Sequence, residues 1–389
     1  MAEMPYEIRL TRDLIRCPSV TPQEGGALDL LQVELGHMGF ECTRLPFGEG
    51  TARIDNLFAR LGTASPHFAF AGHIDVVPVG NEAAWSYGPF SGDIKDGCIF
   101  GRGAADMKGG IAAFVAAAKR YIEAEQLNGS LSLIITGDEE AEAVNGTVKM
   151  VDWMTETENI PDFCMVGEPT NPSVMGQTIK NGRRGSLSCE LTVTGRQGHV
   201  AYPHLANNPI PALFAMLAPV NSTELDNGTA YFGPSTAEVT GLKINDSASN
   251  VIPDQVTSQF NIRFNTEHTV DSLQGWLDEH FGRLAEKLQV SYEAQFWSNA
   301  LPFITEASDH LNIVRETVEQ VTGQQPDLST TGGTSDARFI SKICPVAEFG
   351  LIGQTMHQVD EHVRLADIET LTEIYFQMIR QMDMSLIHI

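Results

Sequence analysis

Five places in this chain carry side chains that could hold a hard or borderline metal ion, and each follows a short apolar run. They are His73, Asp106, the pair Glu139 and Glu140, Glu168, and His357. Imidazole and carboxylate without thiolate suit zinc, manganese or cobalt in a catalytic site. Two histidines and three carboxylates suffice for two ions if one carboxylate bridges them. Such ions, about 3.5–4 Å apart, clamp a carbonyl and lower the pKa of a bound water. Taken singly, each residue has an ordinary explanation. His73 and His357 read as satisfied or loop histidines, and Asp106 as a helix N-cap. Glu139 and Glu140 read as solvated acids at a strand end, and Glu168 as a loop residue before Pro169. Those explanations leave unaccounted for the shared position after apolar strands, where open α/β sheets bind ligands. Asp75, two residues past His73, is placed to orient the imidazole through its carboxylate.

The elements that must position these residues are legible in outline. Asp106 sits in GRGAADMKGG, residues 101–110, and helical apolar spacing follows directly. Residues 4–39 read as two helices. Apolar runs at 56–61, 68–72, 131–136 and 163–166 read as strands, with helices at 107–124 and 146–154. Strands alternating with helices indicate an α/β domain, a mostly parallel sheet flanked by helices. The pattern changes after residue 181. Residues 186–194, 237–244 and 255–264 alternate polar and apolar, with helices at 209–217 and 270–284. That pattern suggests an inserted α+β domain built on an antiparallel sheet. The first style returns with a helix at 309–321, a turn into a helix at 332–339, a strand at 346–349 and a helix at 367–382. The expected organisation is a catalytic domain in two parts, 1–181 and 296–389, interrupted by an insert at 182–295. The tail after Met382 has no assigned role. An exposed sheet edge in the insert invites pairing with a second copy, so a homodimer is expected.

A net charge of −25 over 389 residues disfavours nucleic acid or an anionic membrane as partner. It allows an anionic small substrate if arginines cluster, and Arg183, Arg184 and Arg263 supply the fork that carboxylates favour. The six cysteines show no CxxC spacing and read as buried free thiols of a reducing compartment. The N-terminal residues carry no signal-like apolar core. No run approaches the ~18 apolar residues of a membrane span. A cytoplasmic protein is expected.

HIDVVP (73–78), GRGAADMKGG, TGDEEAEAVNG (136–146) and GEPT (167–170) resemble the dizinc metallopeptidase family of the aminoacylase/carboxypeptidase type. So do NGRRGS (181–186), GRQGHVAYPHLANNP (195–209), SNVIP (249–253), NIRFN (261–265) and GGTSDARF (332–339). The likeness runs from near residue 10 to near residue 378. It implies two Zn2+ per subunit, with Co2+ able to substitute. It implies that His73 and Glu168 hold one ion, Glu140 and His357 the other, and that Asp106 bridges them. It implies Glu139 as general base, a cis peptide after Asp106, and His199 reaching the oxyanion from a partner subunit. The substrate implied is a small anionic N-succinyl amino acid, contacted by Arg183, Ser186, Tyr202, Asn250, Arg263, Gly333 and Thr334. Another N-acyl amino acid is the alternative within the class; a non-catalytic binding protein of the same fold is the alternative outside it. Gly353 departs from the asparagine of many members, which bears on substrate choice and leaves the metal set intact.

Overall fold

The computed structural model describes residues 4–244 and 248–384. They form two compact units, one of residues 4–181, 305–329 and 335–384, the other of Gly182–Ile304 and Thr330–Thr334.

The first unit is built on an eight-stranded sheet in the order Glu41–Arg44, Leu57–Leu61, Ser130–Thr136, His67–His73, Phe163–Val166, Val346–Glu348, Thr178–Lys180, Asp327–Ser329. Its centre is parallel. His67–His73 pairs in parallel with Ser130–Thr136 and with Phe163–Val166, and Phe163–Val166 with Val346–Glu348. These strands are buried on both faces, which is why they read as continuous apolar runs instead of alternating ones. The antiparallel strands Glu41–Arg44 and Leu57–Leu61 make one margin of the sheet.

The helix Gly109–Ala124 explains how the centre closes. Its first ten residues are all buried, and alanines and glycines let it lie close to the sheet and to the helix Leu365–Met384. Phe114 stacks on Phe70 with ring centroids 4.3 Å apart. Tyr375 meets both rings edge-on at 5.6 Å and donates its hydroxyl to the Phe349 carbonyl at 2.6 Å. The last helix runs to Met384, two residues past the expected end at residue 382. Asp383 is buried and accepts from the Tyr121 hydroxyl and from the Asn128 and Gly129 amides, tying the helix end to the loop before Ser130–Thr136. Residues 385–389 lie outside the described residues.

His67 opens the central strand with a buried imidazole. Nδ1 lies 3.1 Å from the Ile160 carbonyl and Nε2 2.8 Å from Ser132 Oγ, so the neutral ring is satisfied at both nitrogens. Burial, and then the Arg60 charge, push its pKa from 6.5 to about 4. Between those values the unfolded chain takes up a proton that the folded chain refuses. Stability therefore falls as pH drops from about 6.5 towards about 4, by roughly 3 kcal/mol in all. In urea melts, His67→Gln should lose about that much less stability than wild type between pH 7 and pH 4. Equal pH slopes in the two proteins would contradict the assignment.

The second unit carries a four-stranded antiparallel sheet in the order Thr236–Ile244, Gln255–Phe264, Gly185–Thr194, Ser291–Ala300. Alternation sorts its faces. Leu187, Cys189, Leu191 and Val193 point inward with Val256, Phe260, Ile262 and Phe264. The helices Pro209–Ser222 and Val270–Leu288 cover that face. Thr269 and Ser272 cap the second helix reciprocally. The expected return to the first domain at residue 296 is corrected. Residue 296 lies inside the edge strand Ser291–Ala300, which stays paired to Gly185–Thr194, and the unit ends at Ile304.

All six cysteines are free, three buried and three half-buried. No helix among the described residues is long and apolar enough to cross a membrane.

Candidate metal centre

Four adjacent parallel strands deliver donors at one end of the sheet. His73 is the last residue of its strand and lies opposite Thr136 in register. Glu139 and Glu140 therefore follow Thr136 at the same end. Ala71 lies opposite Val166, which places Gly167 and Glu168 there as well. Gly167 has no room for a side chain, because an added Cβ would lie 2.5 Å from the Phe70 ring. Val166 lies opposite Glu348, after which the chain leads to the loop bearing His357. Asp106 comes from the turn Ala104–Lys108 before the buried helix. It is not a helix cap; its backbone is extended, and the Asp106–Met107 peptide is cis, as the resemblance implied.

The six side chains converge. His73 Nε2 is 3.1 Å from Asp106 Oδ1 and 3.9 Å from Glu168 Oε1. His357 Nε2 is 3.2 Å from Asp106 Oδ2 and 2.9 Å from Glu140 Oε1. Asp106 thus turns one carboxylate oxygen to each histidine. Two trios, His73 with Asp106 and Glu140, and His73 with Glu139 and Glu168, each place ligand atoms within 4.8 Å of one another.

The orientation of His73 differs from the expected one. Nδ1 donates to the main-chain carbonyl of Asp75 at 2.9 Å, while the nearer carboxylate oxygen of Asp75 is 3.7 Å away. A carbonyl only accepts, so Nδ1 carries a proton and Nε2 faces the cluster, where it donates to Asp106 and would instead give its lone pair to a cation. The buried Asp75 carboxylate instead accepts from the backbone amides of Glu139 at 3.2 Å and Glu140 at 3.0 Å. One residue thereby sets both the imidazole and the acidic pair. Asp138 completes that loop by accepting from the amides of Ala143, Val144 and Asn145.

The electrostatics follow from the gathered carboxylates. Burial pulls the His73 imidazole down, but its hydrogen bond to Asp106 and the Asp106 and Glu168 charges lift it well above its ordinary value. Hydrogen bonds to Asp106 and Glu140 lift His357 to about 10. Burial, followed by the Glu168 charge, raises the Glu139 carboxyl well above the usual range. Burial acts upward on Asp106 as well, but the bonds from His357 and His73 overcome it and hold this carboxyl low. Four carboxylates gathered in a largely buried site draw protons onto their neighbours. Divalent cations answer the same demand without protons, and every donor here is oxygen or imidazole nitrogen. The residues present fit a pair of such ions.

The remaining expected site residues lie in the second unit. His199 closes a two-residue strand paired with Val251–Ile252. Its Nδ1 accepts from the Ala201 amide at 3.0 Å, so the Nε2 edge carries the proton and faces outward. Tyr202, exposed, stands 5.8 Å from its ring, and Asn250 accepts from the Val200 amide at 3.0 Å through its carbonyl. Ser186 lies directly opposite Arg263 in register and accepts from Asn261 Nδ2 at 3.0 Å. Burial and the neighbouring Arg184 charge both depress the Arg263 guanidinium, which marks two like charges held together. Arg183 Nη1 donates to the Gly333 carbonyl at 3.2 Å, so this arginine also shapes the loop that carries Gly333 and Thr334.

Two residues escaped the sequence reading. Arg102 and Glu361 are a buried ion pair at 2.7 Å. The available signal was a lone arginine inside the glycine stretch and an acid shortly after His357.

A catalytic-type acidic and imidazole cluster at the carboxyl ends of parallel strands, with an antiparallel α+β unit inserted, defines a metal-dependent hydrolase scaffold. The chain belongs to Peptidase family M20/M25/M40, which its residues 69–381 match. A succinyl-diaminopimelate desuccinylase of Gluconacetobacter diazotrophicus is 52% identical over 373 residues, covering 95% of this chain and 94% of that protein. One of Rhodospirillum centenum is 53% identical, covering 95% and 96%. The aminopeptidase PepT of Bacillus cereus superposes with a TM-score of 0.79 at 18% identity, covering 97% of this chain and 98% of its own. The YXEP protein of Bacillus subtilis, a dinuclear metal binding peptidase, superposes at 0.68 with 18% identity and 98% coverage of both chains. At those identities the two structures establish the fold alone.

Proposed function

We propose that this chain is a dizinc amide hydrolase that cleaves N-succinyl-LL-2,6-diaminopimelate to succinate and LL-2,6-diaminopimelate, a step towards lysine. The observation that carries the chemistry is the placement of Asp106, with one oxygen towards each histidine. The choice of substrate is supported by the relatives' names at half identity over nearly the whole chain.

His73 and Glu168 would hold one Zn2+, Glu140 and His357 the other, and Asp106 both; Co2+ suits the same donors. Paired zinc ions supply Lewis acidity towards the amide carbonyl and lower the pKa of water. Glu139 takes the proton of the attacking water and later delivers it to the leaving amine. Its raised pKa suits a group that must hold a proton between those two steps. Asp75 keeps Glu139 and Glu140 aimed through their amides and fixes the His73 tautomer. His199 donates to the oxyanion from a second subunit of a homodimer formed through the inserted unit. Arg183 and Arg263 bind substrate carboxylates in a fork, with Ser186, Tyr202, Asn250, Gly333 and Thr334 completing the contacts. The reading places the enzyme in the cytoplasm, with neither nucleic acid nor membrane as partner.

The test compares turnover of N-succinyl-LL-2,6-diaminopimelate and N-acetylornithine by the zinc-loaded protein, followed as loss of amide absorbance. Preference for the succinyl diacid by at least 100-fold in kcat/KM is expected, since half-buried guanidinium groups built to bind a carboxylate penalise a substrate lacking it. Exclusive activity on the acetyl substrate would overturn the assignment.

A further inference from the structure

We propose that the buried Arg102–Glu361 pair is a latch that positions the Asp106 turn and the His357 loop against each other, and so sets the spacing of the two cation sites. The inference rests on the paired-cation reading above. Arg102 is 3% exposed and Glu361 is fully buried. A buried ion pair contributes little net stability over an apolar pair of the same volume, so stability alone does not account for it.

The bonding of the pair is divided between the two segments. Glu361 Oε1 accepts from the amides of Gly103 at 3.1 Å, Ala105 at 2.9 Å and Asp106 at 3.2 Å. Glu361 Oε2 accepts from Arg102 Nη1 at 2.7 Å. The same Nη1 donates to the Gln358 carbonyl at 3.2 Å, and Nη2 to the His357 carbonyl at 3.4 Å. The Trp85 ring covers the guanidinium, 5.3 Å from Cζ. One carboxylate therefore holds the backbone of the bridging aspartate, and its guanidinium partner holds the backbone of the last histidine.

These are the two donors with no regular structure to fix them. His73 ends a strand, Glu168 follows one, and Glu139 and Glu140 are held by Asp75. Asp106 sits in a non-helical turn reached through Gly103, whose φ of 87° favours glycine, and His357 has a φ of 63°. A guanidinium fork reaches two carbonyls and a carboxylate together, which an ammonium cannot match. Arg102 and Glu361 touch backbone, not ligand atoms, and are positioning residues.

Zinc titration against a competing chelator tests this on the whole purified protein. Wild type should take up two equivalents. Arg102→Met should bind the first as wild type does and the second 10–100-fold more weakly, the usual effect of losing a group that orients a ligand. Arg102→Lys keeps a charge opposite Glu361, avoids an unpaired buried carboxylate, and should show the same selective loss while melting near wild type. In a His357→Ala background, Arg102→Lys should weaken zinc no further, because the histidine it positions is gone. Equal weakening of both equivalents in Arg102→Lys, or wild-type affinity for both, would overturn the latch. A wild-type protein that takes up fewer than two equivalents would instead overturn the paired-cation reading, and the latch with it.

Discussion

Replacing Glu139 with glutamine should lower kcat about 10²–10⁴-fold while leaving two equivalents of zinc bound. Glutamine keeps the size of the side chain and cannot take a proton. The main chain at 139 stays fixed, because Asp75 accepts from the amides of residues 139 and 140 and not from either side chain. Burial and the Glu168 charge raise this carboxyl, which suits a group that carries a proton. Geometry alone does not separate the roles, since Glu139 shares a trio with His73 and Glu168. The measurement does. A variant that binds two zincs without turnover assigns Glu139 as base. Loss of one equivalent would make it a ligand, and unchanged turnover would remove it from the mechanism.

The strands that build the site were legible because they are buried on both faces. Runs such as LSLIIT and FCMV can hardly be anything else at that length, and the strand Phe163–Val166 falls where expected. The donors were legible because a charge directly after such a run has few structural explanations. Joint position identified the cluster; no single residue did. Asp106 turns one oxygen to each histidine, and the proposed bridging role rests on that arrangement.

What escaped has a common cause. Short strands, such as Asp93–Lys95, Cys98–Phe100 and Asp327–Ser329, have two or three exposed or half-buried residues and no periodicity to read. Ser291–Ala300 was within reach, since Tyr292, Ala294 and Phe296 alternate, but polar residues at every other position hid it and shifted the expected boundary. Partner choice was harder still. Asp75 was expected to meet His73 through its carboxylate, and meets it through its carbonyl, because the carboxylate is committed to two amides 64 and 65 residues away. Glu361 lies more than 250 residues from the turn it holds. Sequence position encodes burial and spacing. It does not encode which of two oxygens a distant amide will take.

Asp106→Asn should abolish zinc-dependent stabilisation along with activity. The carboxylate lies within hydrogen-bonding distance of both histidines, at 3.1 Å and 3.2 Å. Asparagine retains one oxygen and turns an NH2 towards the other imidazole, a donor where an acceptor is required. It also removes the negative charge that both cations would share. With free zinc at 100 times its dissociation constant, wild type should gain about 2.7 kcal/mol per site over the chelator-treated protein. The variant should gain little at either site, so its melting temperature should respond weakly to zinc. His357→Ala provides the contrast. It removes a half-exposed donor from one side only, so one equivalent and its share of the stabilisation should remain. Two equivalents bound by Asp106→Asn at wild-type affinity would show that the ions, if paired, share some other ligand.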